Sequence, residues 1–443
     1  MKQQETNFSR RHFIGTMAAA GTIMVACSGK SAEKVKWYNQ PRIAPDGPEL
    51  KAGLIGCGGR GTGAAVQFLS AGPKVKITAL ADVFDDRLQS CRARILKEKN
   101  NEVADENCFI GFDAYEKLID SGVDVVLIAT PPHFRPIHFA AAVAAKKHVF
   151  MEKPVAVDPV GARSIMATAK KAEALGLTVV TGTQRRHQRE YIATFKQVKS
   201  GAIGDIAGIN VYWNGGQLWY RTRQRGWSDM EWAIRDWVNW CWLSGDHIVE
   251  QHVHNLDVAN WFTGSHPVKA LGFGARQRRV TGDQYDMFSV DFVYPDGFHM
   301  HSMCRQINGC TNNVSEFIMG TKGSTNCRNT IFERDGKTQV WKYGFEKDKD
   351  GNEIKDKSPY YQEHIDFVTA IRTNNPINEA ENTAISTMTA IMGRISAYTG
   401  KAVTWEEMMN SDLRLGPKEY RMGALNMQQI IPVPGTEKRP KKA

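Results

Sequence analysis

The chain has 443 residues, 42% of them hydrophobic and 23% charged, with a formal net charge of +10. That length exceeds what one compact core accommodates, so two domains are expected, and the composition is that of an ordinary globular protein. The positive charge forms no basic stripe interleaved with aromatics, which argues against a nucleic-acid partner. Lys2, Arg10 and Arg11 against Glu5 account for +2 of it, and part of the rest lies in the terminal EKRPKKA, a solvated end.

Residues 1–27 open the chain with Ser9-Arg10-Arg11-His12-Phe13-Ile14, continue through GTMAAAGTIMVA and reach Cys27. A basic start, a short apolar run and a small-residue boundary describe an export signal, too short for a membrane span. The paired arginines before an aromatic residue resemble a twin-arginine signal. Met24-Val25-Ala26-Cys27 resembles a lipobox with Met in place of Leu. The expected location is therefore the periplasm or cell envelope, with possible membrane attachment through a lipid on Cys27. Residues 28–50 lack periodicity and read as a tether.

From 51 to 182 short apolar strands alternate with helices. Strands are expected at 52–56, 75–81, 124–129, 147–151 and 177–182, and helices at 62–71, 85–98, 134–145 and 159–175. That alternation implies a doubly wound parallel sheet, a Rossmann-type α/β domain. The first strand runs into AGLIGCGGRG, where Gly56, Gly58 and Gly61 fill a G-x-G-x-x-G pattern. The first glycine permits the tight turn, the second admits a pyrophosphate and the third lets helix and strand pack closely. The second strand ends in Asp82, about 20 residues beyond the last glycine, where a carboxylate accepts ribose hydroxyls and repels the extra phosphate of NADP. NAD is favoured over NADP. An exported protein meets no free pool of NAD, so the cofactor is expected to be held tightly.

Residues 183–405 read as a second α/β domain. IAGINVYWN, VKALGFGARQ, MFSVDFVYP, FHMHSMCRQ and VSEFIMG are strands in series, which predicts an open, mostly antiparallel sheet. Helices are expected at 246–263, 361–373 and 382–399, and 406–443 is a C-terminal extension. The eight cysteines form no C-x-x-C pair, and free thiols are expected.

Three segments carry a family resemblance: GLIGCGGRG at 53–61, DVVLIATPPHFRPIHFAAAVAAKKHVFMEKP at 124–154, and GDHIVEQHVHNLDVANW at 245–261. Together they resemble the Gfo/Idh/MocA oxidoreductases, over roughly residues 50–405. The resemblance implies reversible hydride transfer between a sugar or polyol hydroxyl and NAD, and a second domain that also mediates homo-oligomer contacts. The cofactor set it points to is Gly56, Gly58, Gly59, Arg60, Gly61, Asp82, Thr130, Pro131, Glu152 and Lys153.

Lys153 follows an apolar strand, at the end where ligands bind in parallel sheets, although in isolation that position reads as a surface lysine by a strand end. There an ammonium can hydrogen-bond a substrate oxygen. On the expected helix 246–263, Glu250, His254 and Asp257 share one face. His254 matches the family histidine, and an imidazole with an unperturbed pKa of about 6.5 suits taking the hydroxyl proton. Glu250 stands where the family usually has Asp, and would orient the pair. His247, Glu250 and His254 form an alternative three-ligand metal site, although the reading adopted has no metal.

Arg185, Arg186 and His187 follow the last strand of the first domain as donors for sugar hydroxyls or an acidic group; the alternative is an ion-paired interdomain linker. Seven of the eleven tryptophans fall between 213 and 242, and Trp219, Tyr220 and Trp237 read as part of a glycan-facing loop, because aromatic rings pack on sugar C–H faces. The expectation is an exported, NAD-dependent sugar or glycoside oxidoreductase. The rivals are a glycoside hydrolase that oxidises C3 transiently, eliminates, hydrates and reduces again, and a non-catalytic carbohydrate-binding lipoprotein.

Overall fold

The computed structural model describes residues 40–425 and 430–436. The expected export signal, Cys27, the tether up to residue 39 and the basic end 437–443 lie outside the described residues.

The first domain runs β1 (Leu50–Ile55), α1 (Gly59–Phe68), β2 (Val75–Asp82), α2 (Asp85–Lys99), β3 (Cys108–Ile110), α3 (Ala114–Asp120), β4 (Val125–Ile128), α4 (Arg135–Ala144), β5 (His148–Met151), α5 (Pro159–Ala174) and β6 (Val179–Thr181). Its six strands lie in the order β3-β2-β1-β4-β5-β6, all parallel. β4 is buried along its whole length, as a parallel strand covered on both faces must be. Helix starts follow local chemistry. Asp85 and Asp86 open α2, where carboxylates favour the positive end of the helix. Asp158 caps α5 by accepting from the Gly161 amide at 2.7 Å, with Pro159 in the first turn.

The second domain follows with α6 (Arg189–Lys199), β7 (Ile206–Gly215), α7 (Asp229–Arg235), α8 (Cys241–Ser244), α9 (His247–Glu250), α10 (Val253–Thr263), β8 (Lys269–Ala275), β9 (Met287–Val293), β10 (His299–Gln306), β11 (Asn313–Gly320), β12 (Ser324–Thr325), β13 (Thr330–Phe332) and β14 (Gln339–Lys342). A hairpin of β15 (Glu346–Lys347) and β16 (Glu353–Ile354), then α11 (Pro359–Arg372), α12 (Ala380–Thr399), β17 (Val403–Thr404) and α13 (Trp405–Asn410) complete the fold. The open sheet has nine strands in the order β14-β13-β12-β11-β7-β10-β9-β8-β17. β7 and β10 run parallel and the other neighbours antiparallel. All seven cysteines among the described residues are free thiols.

α12 joins the domains, packing on α5 on one side and on α10, β8 and β9 on the other. Its Arg394, 1% exposed, donates to the carbonyls of Val157 and Gly245 at 2.8 Å each. The expectation of a tether as far as residue 50 does not hold for its described part. Gln40 donates to the His187 carbonyl at 2.8 Å, the Ala44 amide to Ala71 at 2.8 Å, and Arg372 to Pro45 at 2.7 Å. The expected single helix 246–263 is two helices. Gln251 accepts from Gln306 at 2.7 Å, and the His252 ring bonds the Ser302 hydroxyl at 2.7 Å; both partners lie on β10, and these contacts draw the chain off the helical path.

The glycine turn has little tolerance. Gly56 adopts φ +94°, and a Cβ on Gly61 would sit 1.8 Å from the Gly56 carbonyl oxygen. Gly61→Ala is therefore expected to destabilise the protein by about 1–3 kcal/mol through overpacking, a shift that urea unfolding measures directly.

Candidate active site

A cleft of ≈ 440 Å³ opens at the carboxyl end of the parallel sheet. Gly56, Gly58, Gly59 and Arg60 form one wall, Asp82 and Phe84 another, and Thr130 and Pro131 a third. Added Cβ atoms at Gly58 and Gly59 would meet nothing within 4 Å, so the turn leaves a cradle for a ligand. α1 has no acidic residue in its first turn and no side-chain cap, so its N–H groups are available to an anion. Asp82 is fixed by the Cys57 amide at 2.6 Å and the Phe84 amide at 2.9 Å. Burial raises its pKa, and those amides work in the opposite direction. The geometry fits a dinucleotide with its pyrophosphate at the turn and its ribose at Asp82.

Gly61, Glu152 and Lys153 are not among the lining residues. Gly61 serves the helix–strand contact already described. Glu152 is buried under Arg60, whose Nε donates to it at 2.5 Å while Nη2 reaches Glu363 at 3.0 Å. Burial works against the Glu152 charge, but Arg60, Lys153 and Arg135 outweigh it and hold the carboxyl below its usual range.

Lys153, the next residue, reaches across to the second domain. Its ammonium donates to the Glu250 carbonyl at 2.6 Å and to the Glu250 carboxylate at 3.1 Å. His254 opens the next helix, its ring stacked on Trp213 at 5.6 Å between centroids. No hydrogen bond to that ring is found among the described residues. Burial pushes its pKa well below the ordinary histidine value, and the charges of Lys153, Arg185 and Arg60 add to the effect. The His254 imidazole is thus held neutral at pH 7, within the field of an ammonium that Glu250 anchors.

The helix break decides which residues meet here. Asp257, expected on one face with Glu250 and His254, instead receives both ends of the Arg186 guanidinium at 2.8 and 2.9 Å and the Ser386 hydroxyl at 2.8 Å. His247 turns to Asp246 at 3.0 Å and packs against Phe288, so His247, Glu250 and His254 do not converge. Among the described residues no three His, Cys, Asp or Glu side chains gather as metal ligands.

The donors expected on the substrate side are mostly spent on protein partners. Arg185 pairs with Glu316, which also takes the Asn255 amide at 2.6 Å and the Tyr191 hydroxyl at 3.0 Å. Arg185 still lies over Trp213, the ring beneath His254. His187, expected as a substrate donor, is fully buried between Asp366 at 2.8 Å and Glu379 at 3.1 Å. The ion-paired linker is the arrangement found for Arg186 and His187. The tryptophan-rich loop also differs from expectation: Trp219 and Trp237 line the dinucleotide cleft, while Tyr220 is not among its lining residues. Sequence reasoning missed Phe84, Arg87, Phe112, Tyr115 and Arg221 as cleft residues; the proximity of Phe84 and Arg87 to Asp82 was the available signal.

Two family models match the chain. One, described as an oxidoreductase family with an NAD-binding Rossmann fold, covers residues 50–181. The other, described as the GFO/IDH/MocA C-terminal domain, covers residues 191–326. Among curated relatives, 2,7-anhydro-N-acetylneuraminate hydratase of Escherichia coli (strain K12) is 25% identical over 56% of this chain and 59% of its own length. The scyllo-inositol 2-dehydrogenase (NAD(+)) of Bacillus subtilis (strain 168) is 23% identical over 62% of this chain and 73% of its own. A glycosyl hydrolase family 109 protein of Streptomyces coelicolor is 26% identical over 45% and 43%. The matches to the first and third thus span about half of those relatives. The structure of scyllo-inositol dehydrogenase from Lactobacillus casei with bound NAD(H) and scyllo-inositol superposes with a TM-score of 0.59, at 20% identity, over 80% of this chain and 99% of that one. The first domain is an NAD-binding domain.

Burial alone would lower the His187 pKa, but Glu379 and Asp366 raise it well above its ordinary value. Its folded value exceeds its unfolded one, so its stabilisation is complete below about pH 6.5 and is lost as pH rises through the raised value. His187→Gln should cost about 3–5 kcal/mol at pH 6, with the deficit narrowing in alkaline solution. Urea unfolding across that range checks the sign, and a substrate role would instead leave stability unchanged.

Proposed function

The chain belongs to the GFO/IDH/MocA oxidoreductase family, and from that membership and the Lys153–Glu250–His254 cluster we propose a dehydrogenase that exchanges hydride between a neutral sugar or glycoside hydroxyl carbon and tightly held NAD. The observation that carries the proposal is the buried His254 ring, stacked on Trp213 within the field of the Lys153 ammonium and with no hydrogen-bond partner among the described residues. When bound, NAD supplies the hydride acceptor. His254 takes the hydroxyl proton as the carbon gives up its hydride. Lys153 donates to the same oxygen and stabilises the charge developing on it, and Glu250 holds the ammonium in place.

The pairing of Arg185 with Glu316 and of Arg186 with Asp257 supports an uncharged substrate, because these cations already have carboxylate partners. The matching glycosyl hydrolase family 109 protein supports a second reading, in which C3 is oxidised, the aglycone eliminated, water added and the sugar reduced again by the same residues. A purely carbohydrate-binding lipoprotein has no use for a neutral histidine within the field of an anchored lysine.

We further propose that the protein works in the periplasm or cell envelope, on the strength of Arg10-Arg11 and the Cys27 boundary. A second copy is the proposed partner of the open sheet face, where Leu271, Phe273 and Met303 are exposed.

Lys153→Ala and His254→Ala should each lower kcat/KM by about 10²–10⁴ while bound NAD persists. A protonated imidazole accepts no proton, so kcat/KM should hold level as pH falls from 8 through 6.5 and decline only below the ordinary histidine value of about 6.5. With a panel of glycosides, an accumulating keto-sugar marks the dehydrogenase, and released sugar without lasting reduction marks the hydrolase. If Lys153→Ala leaves turnover unchanged, the mechanism is wrong.

A further inference from the structure

We infer that the segment 219–237 of the second domain roofs the adenosine half of the cofactor cleft, making the bound dinucleotide slow to leave. The inference rests on the reading of the cleft as the NAD site. Asp82 marks the ribose and the glycine turn marks the pyrophosphate, so the walls around Asp82 belong to the adenosine end. Besides Asp82 and Phe84, the cleft is lined by Trp219, Arg221, Ile234, Arg235 and Trp237, all from beyond β7, and Ile234 and Arg235 pack on Phe84. Trp219 and Trp237 meet edge to face at 6.3 Å and 69°, and the Arg221 guanidinium lies 5.6 Å over Trp219. Indole faces in a cleft suit a flat base, which stacks on any aromatic partner.

The roof is fastened in three ways. Arg235 donates to both oxygens of Asp86, on α2 of the first domain, at 2.9 and 3.1 Å, and lies 3.9 Å over the Phe84 ring. An apolar cluster joins Phe84 and Phe134 of the first domain to Met230 and Ile234 of α7. The C-terminal extension crosses both: the Leu415 amide donates to Asp158 at 2.8 Å, the Tyr420 hydroxyl bonds His133 at 2.8 Å, and the Leu425 amide donates to Asp229 at 3.1 Å. Release of the adenosine end therefore requires the second domain and the extension to yield with it.

The test uses the full chain loaded with NADH, and follows release of bound NADH during a chase with excess NAD by loss of nicotinamide fluorescence. Asp86 and Trp219 are partly exposed, so Asp86→Asn and Trp219→Ala should fold, which circular dichroism confirms. Trp219→Ala should speed release by about tenfold, as for an aromatic anchor, and Trp219→Phe should restore slow release; Asp86→Asn should have a smaller effect in the same direction. A Trp219→Ala effect below about threefold, half the tenfold change on the free-energy scale, overturns the roof, and so does a parent protein that loses all its nucleotide in one gel-filtration pass. Failure of the parent to bind NAD or NADH at all overturns the proposed function as well.

Discussion

Charges facing the seam between the two domains must be answered within it, because removing an ion from water costs several kcal/mol that only a close partner offsets. The seam satisfies this with a series of pairs: Arg60 with Glu152 and Glu363, Lys153 with Glu250, Arg185 with Glu316, Arg186 with Asp257, and His187 with Asp366 and Glu379. Arg60–Glu363 and Lys153–Glu250 join the first domain to the second, the pairs of Arg185, Arg186 and His187 tie the segment after β6 to β11, α10, α11 and the start of α12, and Arg60–Glu152 ties the glycine turn to the strand end bearing Lys153. The two interdomain pairs hold the first domain against α9 and α11.

Against that background His254 is exceptional. Burial and nearby cations lower its pKa, with no carboxylate partner among the described residues, whereas Glu379 and Asp366 raise that of His187. The two histidines are chemically identical, and their neighbours separate a neutral imidazole from a structural cation. The break between α9 and α10 is part of the same arrangement. It lets Glu250 face Lys153 while Asp257 turns to Arg186, so one short segment serves both the site and the seam.

The tryptophan-rich stretch shows how the second domain reaches back over the first. A loop dense in aromatics and charges suits a sugar-binding surface, yet here two of its rings face the dinucleotide cleft and its arginine grips α2. The C-terminal extension is fastened to both domains. The cleft is thereby lined by both domains rather than by the glycine turn and its neighbours alone.

The sequence by itself determined the parallel sheet, the glycine turn and Asp82 at the end of the second strand, while Lys153 and His254 became candidates through the family resemblance. The former are local matters: strand runs, turn glycines and strand-end positions follow from spacing within a few residues and from hydrophobic period. The short strand β3 and helix α3 escaped notice because neither carries a long periodic signal. Only the tertiary structure decided that helix 246–263 breaks, that Arg186 and His187 serve the seam, that residues 40–49 lie against the body, and that Trp219 and Trp237 line the cofactor cleft. In each case the deciding partner lies far away in sequence, such as Gln306 for Gln251 or Glu379 for His187. Desolvation and long-range pairing, unlike helical period, leave no mark in the local order of residues.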